Sequence, residues 1–233
     1  AGAAFDITVV ALRQPGERPR EQVAGADVHR LPVRHRRGAS PVLLMGEYVV
    51  FAVLATLRVA RLSLRRRFDV VQVHNPPDFL IAAALLPKLL GAQVVFDVHD
   101  LSSDMFAMRF PSGAARIASR ILDVVERLAC RVADLVVTVH EPYHAELARR
   151  SVPAAKTLVV MNTVDEALLP EQPTPPRREP FRIVYHGTVT PHYGVGLLVA
   201  ALPELSAKLP GVRLEIYGEG DAVPELRAAA EAA

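Results

Sequence analysis

Cysteine and aromatic residues are scarce in this sequence, which has one cysteine, no tryptophan and 6% aromatic residues. Because the single thiol, Cys130, has no partner in the chain, the sequence excludes a disulfide-stapled secreted domain and favours a reducing compartment. We predict that Cys130 is a buried structural thiol in a helix. Hydrophobic residues make up 51% of the 233, which excludes a disordered or fibrous chain and suffices for one core and part of a second.

Two catalytic motifs are absent as well. The glycine fingerprint G-x-G-x-x-G of dinucleotide-binding oxidoreductases does not occur, because Gly194-Val195-Gly196 and Gly218-Glu219-Gly220 both lack the third glycine. These glycine pairs permit tight turns, and such a turn at a helix N-terminus can also bind an anion. The Gly-x-Ser-x-Gly elbow of serine hydrolases is missing too.

Four hydrophobic, strand-like runs end in a histidine: His74, His99, His140 and His186. In a parallel α/β sheet the carboxyl ends of the strands form the ligand-binding edge, so we expect polar chemistry to gather there. These four histidines show neither H-x-H nor i,i+4 spacing and would come from four separate strands. No metal site is therefore predicted.

The segment 94–106 carries the most telling polar residues of this edge. His99 and Asp100 stand where a strand ends, and the polar turn after them carries Asp104, so an imidazole and two carboxylates can face one cleft. Alternatively, Asp100 or Ser102 caps a helical turn and His99 merely fills the sheet edge. The residues alone leave both interpretations open.

Short Val/Ile-rich runs alternate with longer Ala/Leu/Arg segments, which predicts strands and helices in turn. Strands are predicted over 5–12, 27–33, 69–74, 93–99, 134–139, 157–161, 181–186 and 212–217. Helices are predicted over 43–66, 78–90, 113–132, 142–150, 194–208 and 223–232. This order indicates an α/β fold with a mostly parallel sheet covered by helices.

Five prolines fall within residues 166–180, which predicts an interdomain linker there. The strand–helix pattern restarts after the linker, but with too few units for a complete domain. We therefore predict an N-terminal domain over residues 1–165 and the first part of a C-terminal domain over residues 181–233.

Positive charge is concentrated in the first third of the chain. Residues 1–67 hold 12 arginines against 5 acidic residues, whereas the whole chain has a formal net charge of +2. Such a basic face favours phosphate-bearing or membrane-surface partners, although a solvated surface rich in arginine is an equal alternative. A nucleic-acid partner is not expected.

The apolar run over residues 42–60 is interrupted by Glu47 and Arg58, which leaves it short of the length needed to cross a bilayer. We predict a helix that packs half on the core and half on a membrane surface; an ordinary core helix is the alternative. The arginines expected at the membrane are Arg58, Arg61, Arg65, Arg66 and Arg67.

Six segments, in order along nearly the whole chain, resemble the retaining family-four glycosyltransferases of the GT-B fold. They are FDVVQVHNPPDFL (68–80), VVFDVHDLSSDMF (94–106), TVHEPYHAEL (138–147), VVMNTVDEALL (159–169), IVYHGTVTPHYGVGLLVAAL (183–202) and VRLEIYGEGDAVPELRAAA (212–230). The bacterial branch that builds surface polysaccharides or glycolipids is the most similar. The resemblance implies two facing Rossmann-like domains with parallel sheets, the first chiefly for the acceptor and the second for the nucleotide-sugar.

The resemblance also implies site residues in the first domain. His99 matches the family's histidine that contacts the donor sugar, and Asp100 is its usual neighbour, so these two are the catalytic candidates. Asp104 stands where relatives more often carry Glu. The other acceptor-side candidates at this edge are Asn75, His140 and Glu141.

Six residues match the family's donor site in the second domain: Gly187, Thr188, His192, Tyr193, Gly218 and Gly220. In that family the loop at the first glycine approaches the diphosphate, and the last two glycines form the turn beside the nucleotide. Thr188 and Tyr193 stand where many relatives have Arg and Lys. Two charge-assisted contacts, each worth about 1.5–3 kcal/mol, are thereby lost, and His192 is the nearest cationic candidate.

The resemblance implies transfer of a sugar from a nucleotide-sugar to a hydroxyl of a glycan or lipid-linked acceptor, with retention of configuration and with neither metal nor other cofactor. It also implies a first strand and a C-terminal Glu-x7-Glu segment that these residues lack, so we expect residues 1–233 to be catalytically incomplete. A cytoplasmic location, peripheral at the membrane, is expected. The alternatives are a non-catalytic relative that binds a nucleotide or glycan, and a nucleotide-sugar epimerase of the same fold.

Overall fold

The computed structural model describes residues 5–33, 41–109, 113–150, 152–165 and 180–232. The chain divides into two compact units, Ala1–Val164 and Asp165–Ala233. Except for Pro180, the linker predicted over 166–180 lies outside the described residues. Its boundaries, and those of the predicted domains, stay predictions.

Unit 1 begins with a small sheet in the strand order β1-β3-β2. Its strands are β1 (Thr8–Leu12), β2 (Arg20–Val23) and β3 (Ala26–Leu31). β1 and β3 are parallel, whereas β2 pairs antiparallel with β3 through a turn at Ala24 and Gly25, both of which have positive φ. The sequence does not predict β2, because its residues REQV are mostly polar and show no apolar alternation.

Four parallel strands form the second sheet of unit 1, in the order β4-β5-β6-β7. The strands are β4 (Val70–His74), β5 (Gln93–Val98), β6 (Leu135–Thr138) and β7 (Thr157–Val159). Central strand β5 carries Val94, Phe96 and Val98, all fully buried. A run of this kind is typical of a parallel strand with helices on both faces.

Helices pack on this sheet and complete the core of unit 1. They are α1 (Pro41–Ser63), α2 (Leu85–Leu89), α3 (Ser102–Arg109), α4 (Gly113–Val132) and α5 (Glu141–Arg149), with a 3-10 helix over Asp78–Ala84 before α2. Cys130 of α4 is 2% exposed, and burial raises the pKa of its thiol to about 12. The prediction of a buried structural thiol is confirmed.

A single arginine ties three helices together. Arg150, directly after α5, donates from Nε to Glu146 at 2.7 Å, from Nη1 to Ser103 Oγ at 2.8 Å and from Nη2 to Asp104 at 2.7 Å. Its Nη1 also lies 3.3 Å from Glu126 of α4, whose side chain is fully buried. Burial raises the pKa of Glu126 to about 7, against the opposing effect of the Arg150 charge. This arginine network joins α3, α4 and the end of α5.

A cavity of 1290 Å³ lies between strands β1 and β4 of unit 1, which both line it. Within the described residues, β1 pairs only with β3 and β4 only with β5, so each has an open edge. Helix α1 adds Tyr48, Phe51 and Ala55 to the lining, and most of the wall is apolar.

Helix α1 packs on β1, β3 and the 3-10 helix. Among the described residues it is the one helix that by length and composition could cross a membrane, although Glu47 and Arg58 interrupt its apolar run. Its most apolar 18-residue stretch has a mean hydropathy of 1.9 and is 11% buried. Ala52 and Ala55 face the core. Another side of α1 carries an exposed apolar stripe at four-residue spacing: Met45, Val49, Val53 and Leu57.

Unit 2 is a strand–helix repeat. Its parallel strands are β8 (Arg182–His186) and β9 (Arg213–Tyr217), connected through α6 (Val195–Lys208) and followed by α7 (Val223–Ala232). A 3-10 turn over Pro191–Tyr193 precedes α6, and Gly194 between them has a left-handed φ of 68°.

The order of strands and helices predicted from the sequence is confirmed in both units. Two differences stand out besides β2. The helix predicted over 78–90 is a 3-10 helix followed by the short α2. The polar turn predicted at Asp104 is wrong, because residues 102–109 form α3, which the arginine network binds to the rest of the unit.

Candidate functional site

The carboxyl ends of β4 and β5 bring two similar tripeptides side by side, Gln72-Val73-His74 and Asp97-Val98-His99. Successive side chains of a strand point to opposite faces, so each valine enters the core and its two polar neighbours share the other face. The two valines are 6% and 0% exposed, respectively. Because the parallel register pairs His74 with Asp97, the four polar side chains form one cluster.

Three of these side chains lie within hydrogen-bonding distance of one another. His74 Nδ1 lies 3.0 Å from His99 Nε2 and 3.2 Å from Asp97 Oδ2, and His99 Nε2 lies 3.5 Å from Asp97 Oδ1. Gln72 Nε2 donates to Asp97 Oδ2 at 2.9 Å. The imidazoles are 58% and 37% exposed, so solvent reaches the cluster. We call these four residues the edge cluster: Gln72, His74, Asp97 and His99.

Asn75 holds the backbone that follows the edge cluster. Its buried side chain accepts hydrogen bonds through Oδ1 from the amides of His99 (2.8 Å) and Asp100 (3.3 Å). Its Nδ2 donates to the Asp100 carbonyl and to Asp78 Oδ1, both at 2.7 Å. Asp78 is buried as well, and burial raises its pKa. The structure thus brings together three residues that the sequence singled out, Asn75, His99 and Asp100.

Replacing Asn75 by Ala is expected to lower the free energy of unfolding by about 2–3 kcal/mol, because buried polar partners lose their hydrogen bonds. Amide hydrogen exchange at His99 should accelerate in parallel. Gln93→Ala, which truncates an exposed amide on β5, is the control and should change stability by less than about 0.5 kcal/mol. Urea unfolding measures both variants, and equal losses of stability in the two would contradict the role of Asn75 in holding this backbone.

The structure places the other acceptor-side candidates nearby but with local partners. His140 caps α5, since its Nδ1 accepts from the Tyr143 amide at 3.2 Å and the two rings pack with centroids 4.0 Å apart. Glu141 lies 3.3 Å from His144 on the same helix. Asp104 binds Arg150 and belongs to the arginine network. His140 and Glu141 follow β6, one strand along from the edge cluster.

In unit 2, the predicted donor-side glycines let two loops pack backbone against backbone. A Cβ on Gly218 would lie 1.9 Å from the Gly187 carbonyl oxygen, and one on Gly220 would lie 2.0 Å from the Val189 carbonyl oxygen. The amides of Gly187 and Val189 donate to carbonyls of β9 and the loop after it at 3.0 and 2.9 Å. The close approach therefore requires glycine, whatever binds beside it, and the donor role stays a prediction.

The remaining donor-side candidates lie on the loop between β8 and α6. Thr188 is exposed, and its carbonyl accepts from the Tyr185 hydroxyl at 2.8 Å. Tyr193 is 65% exposed and ends the 3-10 turn before α6. The side chain of His192 lies outside the described part of the chain. The N-terminus of α6 follows directly, where backbone amides and the helix dipole favour an anion.

A family match covers the unit that carries the edge cluster and Asn75. Residues 1–163 match the model of the glycosyl transferase 4-like domain. The chain belongs to this family. The coarser part of the sequence resemblance, a family-four glycosyltransferase domain, is thereby confirmed.

Curated relatives of this family share modest identity with the chain. Glycogen synthase of Mycobacterium tuberculosis, in strains H37Rv and CDC 1551, is 31% identical over 171 residues, which are 71% of this chain and 40% of the relative. A phosphatidylinositol N-acetylglucosaminyltransferase component from Arabidopsis thaliana is 28% identical over 171 residues, which are 72% of this chain and 36% of the relative. The chain thus spans at most 40% of the length of these relatives.

A solved structure supports the fold. The crystal structure of Anabaena Alr3699/HepE in complex with UDP-glucose matches with a TM-score of 0.59 and 15% identity, over 97% of this chain and 66% of that chain. At this identity the likeness concerns the fold alone. The α/β fold with parallel sheets of GT-B type, predicted from the sequence, is confirmed for this family member.

Two residues of the edge cluster, Gln72 and Asp97, are missed by the sequence analysis. The signal that could have found them is the repeated pattern polar-Val-His at the ends of successive strands, 72–74 and 97–99. Period-two alternation puts the polar residue and the histidine on one face. Parallel pairing then brings the two faces together.

Proposed function

We propose that the protein transfers a sugar from a nucleotide-sugar to a hydroxyl group of a glycan or lipid-linked acceptor, with retention of configuration. One observation carries the proposal: the family match over residues 1–163 includes the His99–Asp100 turn, held by Asn75 at the carboxyl edge of a parallel sheet. That edge is where open α/β sheets bind ligands. Relatives named for glycogen synthesis and N-acetylglucosaminyl transfer support the reaction class.

The proposed chemistry breaks the bond between the anomeric carbon and the diphosphate oxygen. The acceptor hydroxyl attacks on the same face, and its proton passes to the departing phosphate oxygen. His99 and Asp100 contact the donor sugar, and Asn75 acts as a positioning residue by fixing their backbone. Backbone amides at the N-terminus of α6 stabilise the charge that develops on the diphosphate. No metal is required for this transfer.

The test measures transfer from radiolabelled UDP-glucose, UDP-N-acetylglucosamine and GDP-mannose to a lipid extract of the source organism. It compares residues 1–233 with the native polypeptide, purified from the source organism. The comparison is needed because the chain spans at most 40% of the length of the curated relatives named above. We expect the native polypeptide to transfer one of these sugars with retention, seen by NMR of the product, and residues 1–233 alone to be catalytically incomplete. His99→Ala should lower the rate about 100-fold or more.

Gln93→Ala supplies the control for that variant, because Gln93 is exposed and begins β5, whereas His99 follows the end of the same strand. It should leave the rate within about twofold of wild type, an order-of-magnitude expectation for a surface change. Donor binding without transfer or hydrolysis would contradict the proposal and indicate a binding protein. Thr188 and Tyr193 motivate this alternative, because they are neutral where many relatives have Arg and Lys. Release of free sugar without an acceptor would indicate an epimerase instead.

We further propose that α1 and the basic segment that follows it contact an anionic membrane on its cytoplasmic side. The exposed apolar stripe of α1 and the arginines that follow it would lie at the interface together. Arg66 differs from the other predicted arginines: its Nη1 lies 3.0 Å from Asp6 Oδ2, and its guanidinium lies 5.0 Å from the centre of the Phe68 ring. Four arginines remain for the membrane: Arg58, Arg61, Arg65 and Arg67.

Flotation with phosphatidylserine vesicles tests this contact. Changing the four arginines to Gln should weaken partitioning by about 1 kcal/mol each, or roughly three powers of ten together. The matched control changes four exposed arginines elsewhere in unit 1, namely Arg120, Arg127, Arg131 and Arg149. Equal flotation of the two quadruple variants would remove the proposal.

A further inference from the structure

The edge cluster holds three potential metal-ligand atoms close to the spacing found around one ion. His74 Nδ1 lies 3.0 Å from His99 Nε2 and 3.2 Å from Asp97 Oδ2, and one ligand atom from each of the three residues lies within 4.8 Å of the other two. A tetrahedral zinc site with bonds of about 2.0–2.1 Å places neighbouring ligand atoms about 3.4 Å apart. The first two separations are a few tenths of an ångström shorter than that value. One ion could therefore touch all three groups after a rotation of the Asp97 or His99 side chain.

We propose that His74, Asp97 and His99 form a binding site for a divalent transition metal ion such as Zn²⁺ or Co²⁺. Two imidazoles and one carboxylate are donors typical of these borderline ions, and three protein ligands leave a position open for water or another ligand. Mg²⁺ and Ca²⁺ are not expected, because they require more oxygen ligands. The sequence predicts no metal site, because its histidines lack H-x-H and i,i+4 spacing and end separate strands, whereas the parallel register brings two of these strand ends together.

The surroundings of the three groups support a built site. Gln72 Nε2 donates to Asp97 Oδ2 at 2.9 Å and so fixes the orientation of the carboxylate without itself being a ligand. The His99 amide donates to Asn75, which fixes the backbone from which the His99 imidazole extends. Both imidazoles are open to solvent, so an ion has a route to the site.

The charge balance points the same way. Asp97 is 9% exposed, and in the described part of the chain its close side-chain partners are His74, His99 and Gln72, with no lysine or arginine among them. A buried carboxylate is costly unless it is paired with positive charge. A divalent ion between the carboxylate and the two ring nitrogens would supply that charge, and it would replace a contact in which the two histidines face each other.

One consequence rests on the proposed function. His99 is the residue proposed to contact the donor sugar, so an ion bound to its Nε2 would occupy that place, and Zn²⁺ would inhibit transfer. Binding of the ion does not depend on transfer, however. The two proposals can therefore fail separately: absence of transfer leaves metal binding untouched, and absence of metal binding leaves transfer untouched.

The test titrates tag-free residues 1–233 with Co²⁺, followed by visible absorption, and with Zn²⁺, followed by calorimetry. We expect one ion per chain at the cluster and no heat with Mg²⁺. His74→Gln and Asp97→Asn should each lower the affinity for the ion by more than about tenfold. Gln72→Leu should lower it by about tenfold, because the Asp97 carboxylate is then no longer held in place. His186→Ala, which removes an exposed histidine of unit 2, should leave affinity unchanged.

Circular dichroism and thermal melting of each variant show whether it is folded. The His74 side chain is 58% exposed, so His74→Gln is the variant expected to disturb folding least. A folded His74→Gln protein that keeps the wild-type Co²⁺ spectrum and affinity would overturn the proposal. So would a wild-type protein that takes up neither ion.

Discussion

Replacing Arg150 by Met is expected to lower the free energy of unfolding of unit 1 by about 3–5 kcal/mol at neutral to alkaline pH. The change leaves the carboxylate of Glu126 fully buried without the cation that now lies 3.3 Å away. It also removes the bonds to Glu146 and Asp104, both at 2.7 Å. Met keeps most of the apolar stem of Arg150, so loss of charge rather than loss of packing dominates.

The loss should shrink in acid. Burial raises the pKa of Glu126 from 4.5 to about 7 in the folded protein, so the folded state binds a proton more tightly than the unfolded state does. The corresponding stability is present below about pH 4.5 and is lost as the pH rises through about 7. The Arg150→Met loss should therefore be smaller at about pH 5 than at about pH 8. Glu126→Gln should flatten the dependence of the unfolding free energy on pH across this window.

Arg149→Met is the matched control. Arg149 is the preceding residue, its side chain is 76% exposed, and it binds the same partner, Glu146, at 2.7 and 2.9 Å. Because exposed ion pairs contribute little, its loss should cost less than about 1 kcal/mol. Guanidinium unfolding at both pH values measures the two variants, and comparable losses would refute a special role for the buried arginine.

Gly220→Ala is expected to destabilise unit 2 by about 3 kcal/mol or more, the upper part of the range for overpacking. The added Cβ would lie 2.0 Å from the Val189 carbonyl oxygen and 2.6 Å from its carbonyl carbon. Val189 cannot move away easily, because its side chain is 1% exposed and its amide donates to the Glu219 carbonyl at 2.9 Å. The two loops must separate to admit a single methyl group.

Gly196→Ala tests whether this cost comes from the close backbone approach. Gly196 lies in α6 of the same unit, and a Cβ there would meet only Leu226 Cδ2 at 3.5 Å, an ordinary contact. It should be neutral or stabilise the helix by up to about 1 kcal/mol. Hydrogen exchange of β8 and β9, compared with that of β5 in unit 1, measures both variants. Unchanged exchange in unit 2 of Gly220→Ala would rule out the packing argument.

Local pattern predicts the secondary structure of this chain well, and it fails where distant residues decide. Strand β5 is evident from its Val/Phe run, and α4 from its apolar spacing. Strand β2 is not evident, because pairing with β3 stabilises four mostly polar residues. Helix α3 is missed for a similar reason, since Arg150 binds Ser103 and Asp104 from the far end of α5.

The candidate site divides in the same way. Asn75, His99 and Asp100 can be selected because each follows a hydrophobic strand, and parallel strands end at a common edge. That argument does not show which acidic and amide side chains hold these three residues in place. Asp78 and Asp97 look alike in sequence, yet one is held by Asn75 and the other by Gln72 and two histidines.

The sequence by itself determined the α/β alternation, the strand ends that carry His74 and His99, and the buried position of Cys130, because hydrophobic periodicity is a property of neighbouring residues. Only the tertiary structure decided that His74 faces His99 across 25 positions and that Arg150 reaches Asp104 across 46. The contact between the two histidines depends on strand order and register, since a shift of one residue would turn each side chain to the opposite face. The contact between Arg150 and Asp104 depends instead on the packing of α3 and the end of α5.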